Sequence, residues 1–179
     1  MASAFGHALV VVSLGRALPK GYSWKVVLVG VICTVIPDLD VMAFKFGIPY
    51  ESFWGHRGFS HSLLFALIWG VVCAAGFSVR SSDRKFFWIH TVFFFLCTAS
   101  HAVLDAMTNG GLGVAFFSPW DDTRYFFPWQ PIAVSPIGAA RFFSERGWEV
   151  LKSEAIWIGI PCVAAYLLTF LLKRKVGKK

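Results

Sequence analysis

The chain has 179 residues, enough for one domain, and 56% of them are hydrophobic against 15% charged. Soluble domains average about 25% charged, and a soluble core of this length has no use for 19 Phe and 8 Trp, so an ordinary soluble protein is excluded and lipid is the expected solvent. The net charge of +7 does not point to nucleic acid, because the cations form short clusters between and after apolar runs, notably Lys173-Arg174-Lys175 and Lys178-Lys179.

Apolar runs set the expected elements. Residues 2–18 read as a first short helix, retained because no cationic stretch precedes Ala8–Leu14 and no cleavage site follows it. Residues 24–36 read as a second, ended by Pro37. Both are short for a span and are expected to be tilted, re-entrant or shielded by neighbours. Gly55 and Gly58 predict a loop over 55–59, with Ser60 as the N-cap of a third helix over 62–79. Residues 86–107 and 155–172 read as the fourth and fifth; the last three runs reach the roughly 17–20 residues that a span requires. Asn109-Gly110-Gly111 reads as a helix end and turn. Cys33, Cys73, Cys97 and Cys162 lie inside apolar runs without a CxxC pair, as packing residues do. The expectation is an all-α, polytopic membrane bundle of about five helices, one domain over 1–179.

The basic tail sets the C-terminus in the cytoplasm, which leaves Arg80–Lys85 and the connection with Arg16, Lys20 and Lys25 on the same side. The segments 47–61 and 108–154 then lie outside. This assignment uses only Lys and Arg, yet it brings His7, Asp38, Asp40, His56, His61, His101 and Asp105 to the outer ends of their helices.

Those seven are metal-ligand types. His101 and Asp105, four apart, share a helix face. Asp38 and Asp40 flank Leu39 just after Pro37, and in an extended segment residues two apart point the same way. A loop over 55–59 would turn His56 and His61 inward together. A charged Asp at a helix centre costs about 2.5–3.5 kcal/mol on insertion scales, so three carboxylates at one depth call for neutralisation. One or two divalent ions would supply it, and a mixed His/carboxylate set suits Zn, with Mn or Fe also compatible. His90, eleven residues before His101 and about 16 Å from it along a helix, cannot join and reads as a core or interfacial histidine.

The segments Gly6-His7, Pro37-Asp38-Leu39-Asp40, Gly55-His56-Arg57-Gly58-Phe59-Ser60-His61-Ser62 and Ser100-His101-Ala102-Val103-Leu104-Asp105, followed by Phe116-Phe117-Ser118-Pro119-Trp120 and Arg124-Tyr125-Phe126, resemble the YdjM-like family of membrane-bound metal-dependent hydrolases. The resemblance covers about residues 5–130, and the run from His56 to Ser62 is its most specific part. That family is distantly similar to zinc-dependent phospholipase C and P1-type nucleases, where HxxxD supplies metal ligands. The resemblance therefore implies metal-dependent hydrolysis of a phosphoester, lipid or lipid-linked substrates included. No histidine follows His101, so the downstream ligands of those enzymes are not matched.

On this reading the metal ligands are His7, Asp38, Asp40, His56, His61, His101 and Asp105, and the catalytic candidates are Arg57 and Asp40. Arg57 either grips a phosphate oxygen or pairs with Asp38 or Asp40. Arg124 either touches substrate or snorkels to the interface. The expected partners are membrane lipids and a phosphoester, in a bacterial-type inner membrane. The competing reading is a divalent-ion or proton transporter, which would want ligands distributed across the bilayer. A metal-free lipid phosphatase would need Arg and Lys signatures that are not evident.

Overall fold

Helix α1 (Ala4–Ala17) begins at Ser3, whose side chain accepts from the Gly6 N–H. The computed structural model describes residues 1–18, 23–79 and 83–176, and within these all regular elements are helical. Lys20, Arg80, Lys178 and Lys179, used above to orient the chain, lie outside the described residues.

Helix α2 (Trp24–Val35) is capped by Ser23 and runs directly into a 3-10 helix, Ile36–Phe46. Here the expectation needs correcting. Pro37 does not end the rod; it sits in the first turn of the tighter helix, where a missing N–H costs nothing. The combined element, Trp24–Phe46, is 23 residues long and apolar enough to span a bilayer. It ends at Gly47, whose left-handed φ of 72° lets its N–H close on the Ala43 and Phe44 carbonyls.

Helix α3 (Leu63–Ser78) is capped by Ser62, not Ser60. Helix α4 (Arg84–Ala106) packs along it so closely that a Cβ on Gly70 would lie 2.8 Å from the Phe95 nitrogen. The last element starts ten residues before the expected 155. Helix α5 (Glu145–Glu154) continues through a π turn, Ala155–Gly159, into α6 (Ile160–Val176). Charged residues on α5 hid this from the apolar pattern, while the backbone ladder runs on through them. Ile160 donates to Ala155, five residues back, and the widened turn accommodates the donor that Pro161 lacks.

Three helical elements, Trp24–Phe46, Arg84–Ala106 and Glu145–Arg174, are long and apolar enough to cross a membrane; α1 and α3 are shorter. The interior is packed by Val11, Val26, Cys33, Ala74, Phe93, Phe94 and Cys97. At one end Lys173 donates to the carbonyls of Arg16 (2.7 Å) and Leu18, a cation closing the C-terminus of α1. The titratable cluster occupies the other end.

Candidate metal centre

The expected residues arrive from four parts of the bundle. His7 comes from the first turns of α1, Asp38 and Asp40 from the 3-10 helix, and His101 and Asp105 from one face of α4. The loop between Gly47 and Ser62 carries His56, Arg57 and His61. It folds so tightly that a Cβ on Gly55 would lie 2.3 Å from the Pro49 and Tyr50 carbonyl oxygens, which explains the glycine. Arg57 itself takes a left-handed φ of 63°, a strained conformation for a side chain of that size, of the kind found at functional sites. Its N–H is held by Asp40 Oδ2 at 3.1 Å.

One group of four has ligand atoms within 4.8 Å of one another: Asp38, His61, His101 and Asp105. The Nε2 atoms of His61 and His101 face each other at 3.0 Å. Asp38 Oδ1 lies 3.3 Å from His101 Nε2 and 3.7 Å from His61 Nε2. Asp105 Oδ2 lies 3.7 and 3.8 Å from the same two nitrogens. Bonds of 2.0–2.1 Å to a tetrahedral Zn give ligand–ligand edges of about 3.3–3.4 Å, so the cage has the right size.

The surroundings fix which atoms point inward. His101 Nδ1 donates to the Thr34 carbonyl at 2.6 Å, leaving Nε2 as a lone pair when the ring is neutral. His61 Nδ1 lies 3.1 Å from Asp40 Oδ2, which orients its Nε2 in the same way. Four ligand atoms thus converge: Asp105 Oδ2 is held from one side by Arg57 Nε at 3.0 Å, and Asp38 Oδ1 faces the two imidazole edges. Two carboxylate oxygens and two imidazole nitrogens converging on one point fit a cation. Burial pulls the His61 imidazole down, but its hydrogen bonds to Asp38 and Asp40 outweigh this and push it up to about 9.

The other expected residues occupy the surroundings. Asp40 accepts from His56 Nδ1 (2.6 Å), Ser60 Oγ (2.6 Å), the Arg57 N–H and His61. With His56 and His61 it forms a second possible ligand group sharing His61. The extended backbone expected for Asp38 and Asp40 is corrected: from a 3-10 helix their carboxylates reach opposite nitrogens of His61, Asp38 continuing to His101 and Asp40 to His56. His7 is fully buried, stacks on His101 at 3.9 Å between ring centroids, and lies 3.6 Å from Asp105 Oδ1; among the described residues neither ring nitrogen has a partner within hydrogen-bond distance.

Arg57 is fully buried and pairs with Asp105 (Nε to Oδ2, 3.0 Å), not with Asp38 or Asp40. It also donates to the Gly110 carbonyl at 2.9 Å and to Thr108 Oγ1 at 3.0 Å. Arg124 donates to the carbonyls of His56 (2.7 Å), Tyr50 (2.8 Å) and Ser52 (3.2 Å), stapling the loop that carries His56 and His61. His90 is buried away from the cluster, bonded to the Phe86 carbonyl and stacked on Phe77.

The sequence reading missed Glu154. It is 97% shielded, at the junction of α5 and the π turn, and its two oxygens accept from Ser3 N and Ser3 Oγ at 2.5 Å each. This ties the start of α1 in place, next to Ala2, whose N–H donates to Asp105 Oδ1 at 2.7 Å. The one available signal was a lone acid at the lip of the last apolar run.

Comparison with known proteins agrees with the site's host. The profile of a family described as YdjM inner membrane protein matches residues 1–176. The chain is 37% identical over 162 residues to inner membrane protein YbcI of Escherichia coli (strain K12), covering 90% of this chain and 92% of that one. No solved structure matches.

Proposed function

The chain belongs to the YdjM family of inner membrane proteins, and from that premise we propose that it is a metal-dependent hydrolase of phosphoesters held in the inner membrane. One observation carries the reading: buried carboxylate oxygens of Asp38 and Asp105 converge with the Nε2 atoms of His61 and His101. These four would hold a divalent ion, with Zn the best match to the donor set and Mn or Fe compatible. Bound there, such an ion supplies Lewis-acid activation of water and charge stabilisation on phosphate oxygens.

The remaining residues act on the ligands. The Thr34 carbonyl sets the tautomer of His101, and Asp40 sets that of His61. Arg57 holds Asp105 in position and balances its charge. His7 stacks on His101 and restricts its tilt. The competing transport reading gains nothing from the interior next to the cluster, where Val11, Cys33, Phe93, Phe94 and Cys97 pack an apolar core.

The test is elemental analysis of protein purified without added metal, with turnover measured on a panel of soluble and lipid phosphoesters. Metal bound by the wild type and lost in His101→Ala, together with metal-dependent release of phosphate or alcohol, supports the proposal. Protein that binds no transition metal and shows no thermal shift with Zn or Mn refutes it.

A further inference from the structure

The four-residue cage is sealed on most sides. The side chains of His61, His101 and Asp105 are fully shielded, whereas Asp38 is 12% exposed and Asp40 is 7% exposed. Among the described residues of the cluster, the accessible edge is therefore the one carried by the 3-10 helix. That edge borders a groove of about 460 Å³ with walls from Leu39, Ala43, Phe46, Trp54 and Phe65 and a polar floor of Asp40 and Ser60.

Two features identify its occupant. First, the floor cannot itself take an ion. Asp40 already accepts from His56, Ser60, His61 and the Arg57 N–H, and the Ser60 hydroxyl is spent on Asp40. Second, the rim is apolar and open: Phe46 is 80% exposed, Trp54 64% and Leu39 62%. Leu39 and Phe46 belong to a helical element long and apolar enough to cross a membrane, so a groove walled by them suits hydrocarbon, where large exposed apolar side chains cost nothing. Pro37 and Leu39, on either side of Asp38, line the groove, and Asp38 is the one cage ligand with surface.

We infer that this groove binds one hydrocarbon chain of an amphiphilic phosphoester, placing the anionic head at the Asp38 edge of the cluster. This rests on the reading that the cage holds a divalent ion, because without the cation three carboxylates would repel a phosphate. Substrates then arrive sideways from the bilayer. Chain length and saturation govern affinity through the groove, while the chemistry at the head is common to all of them.

The inference is tested with full-length protein in phosphatidylcholine nanodiscs carrying a trace of phosphatidic acid with a diazirine at mid-chain. After photolysis, the labelled peptides are mapped by mass spectrometry, with metal content measured on the same sample. Labelling of 39–46 and Trp54 at least several-fold above the exposed α6 residues Leu167–Leu172 is expected. Ala43→Trp, which fills the groove, should reduce that labelling to the α6 level and leave the metal content unchanged; Trp54→Ala, which removes a wall, should reduce it partially. Even labelling of all lipid-facing helices, unaltered by Ala43→Trp in protein that retains its metal, overturns the groove and spares the metal centre. Groove labelling in protein that binds no metal overturns the hydrolase reading and the placement of the head with it, and leaves only a hydrocarbon-binding groove.

Discussion

Asp105 is the point at which structure and chemistry can be separated. Asp105→Asn preserves the shape and an acceptor for the Ala2 N–H, but removes the charge opposite Arg57. Both side chains are fully shielded. Breaking one partner of a buried pair costs about 3–5 kcal/mol, because the other charge is stranded; the hydrogen bonds from Arg57 to Thr108 and Gly110 remain. At about 2–4 °C per kcal/mol for a chain of this size, the midpoint should fall by on the order of 10 °C. The cage also loses a ligand, so metal affinity should drop by more than the roughly 10–100-fold typical of an outer partner. Replacing both groups, as in Arg57→Met with Asp105→Leu, should recover much of the stability and none of the metal. Thermal unfolding in detergent and elemental analysis read the two losses independently. Asp105→Asn with full metal and a midpoint within about 2 °C of wild type would falsify both the ligand assignment and the ion-pair argument.

Three further outcomes follow from the same geometry. In the metal-free protein the His61 imidazolium, raised to about 9, stabilises the fold fully below its unfolded value of 6.5, and that contribution disappears as the pH rises through 9. A metal must displace this proton, so apparent affinity should climb with pH up to about 9, and a flat titration would exclude His61 as a ligand. Glu154→Ala leaves two buried donors of Ser3 unsatisfied, costing about 1–3 kcal/mol each, and should weaken metal binding through the loosened start of α1; unchanged stability and metal would show that Glu154 is incidental. In a cysteine-free background, an impermeant thiol reagent applied to intact cells should reach Thr123→Cys and not Arg84→Cys, and the opposite result would invert the chain in the membrane.

The sequence carried the inventory of the site but not its internal assignments. Spacing alone put His101 and Asp105 on one face of α4, because a helix makes positions four apart neighbours. The topology argument put seven residues at one end because it drew on an independent signal, the basic connections. The partners of Arg57 and Asp40 were not legible. Arg57 meets Asp105 across 48 positions of sequence, and that pairing depends on how the tight loop at Gly55 and Gly58 closes against α4. Pro37 misled for a local reason: proline stops an α-helix in progress, yet it is well placed at the start of a new run, and the choice was made by the 3-10 helix that follows. Glu154 was hidden because charges on α5 break the apolar pattern while the helix continues.

Charge balance decides how many ions the cluster holds. Asp38, Asp40 and Asp105 bring three negative charges, and Arg57 offsets one of them through Asp105. With neutral imidazoles, the remaining two equal the charge of a single divalent cation, and unpaired charge at this depth is costly. The donor geometry gives the same count. Asp38, His61, His101 and Asp105 form one cage, whereas the alternative group of Asp40, His56 and His61 must reuse His61 and must take Asp40 away from Ser60 and the Arg57 N–H. A second ion would break those bonds and leave the site positively charged. The expected stoichiometry is therefore about one transition-metal ion per chain, with mixed His/carboxylate ligation. Asp40→Asn, which keeps hydrogen-bonding capacity toward Ser60 but removes the charge that orients His61, should lower metal affinity by about 10–100-fold without abolishing it. Elemental analysis against quantitative amino-acid analysis gives the ratio, and titration of the stripped protein gives the affinity. Two ions per chain in the wild type, falling to one in Asp40→Asn, would overturn the single-cage assignment and make Asp40 and His56 ligands in their own right.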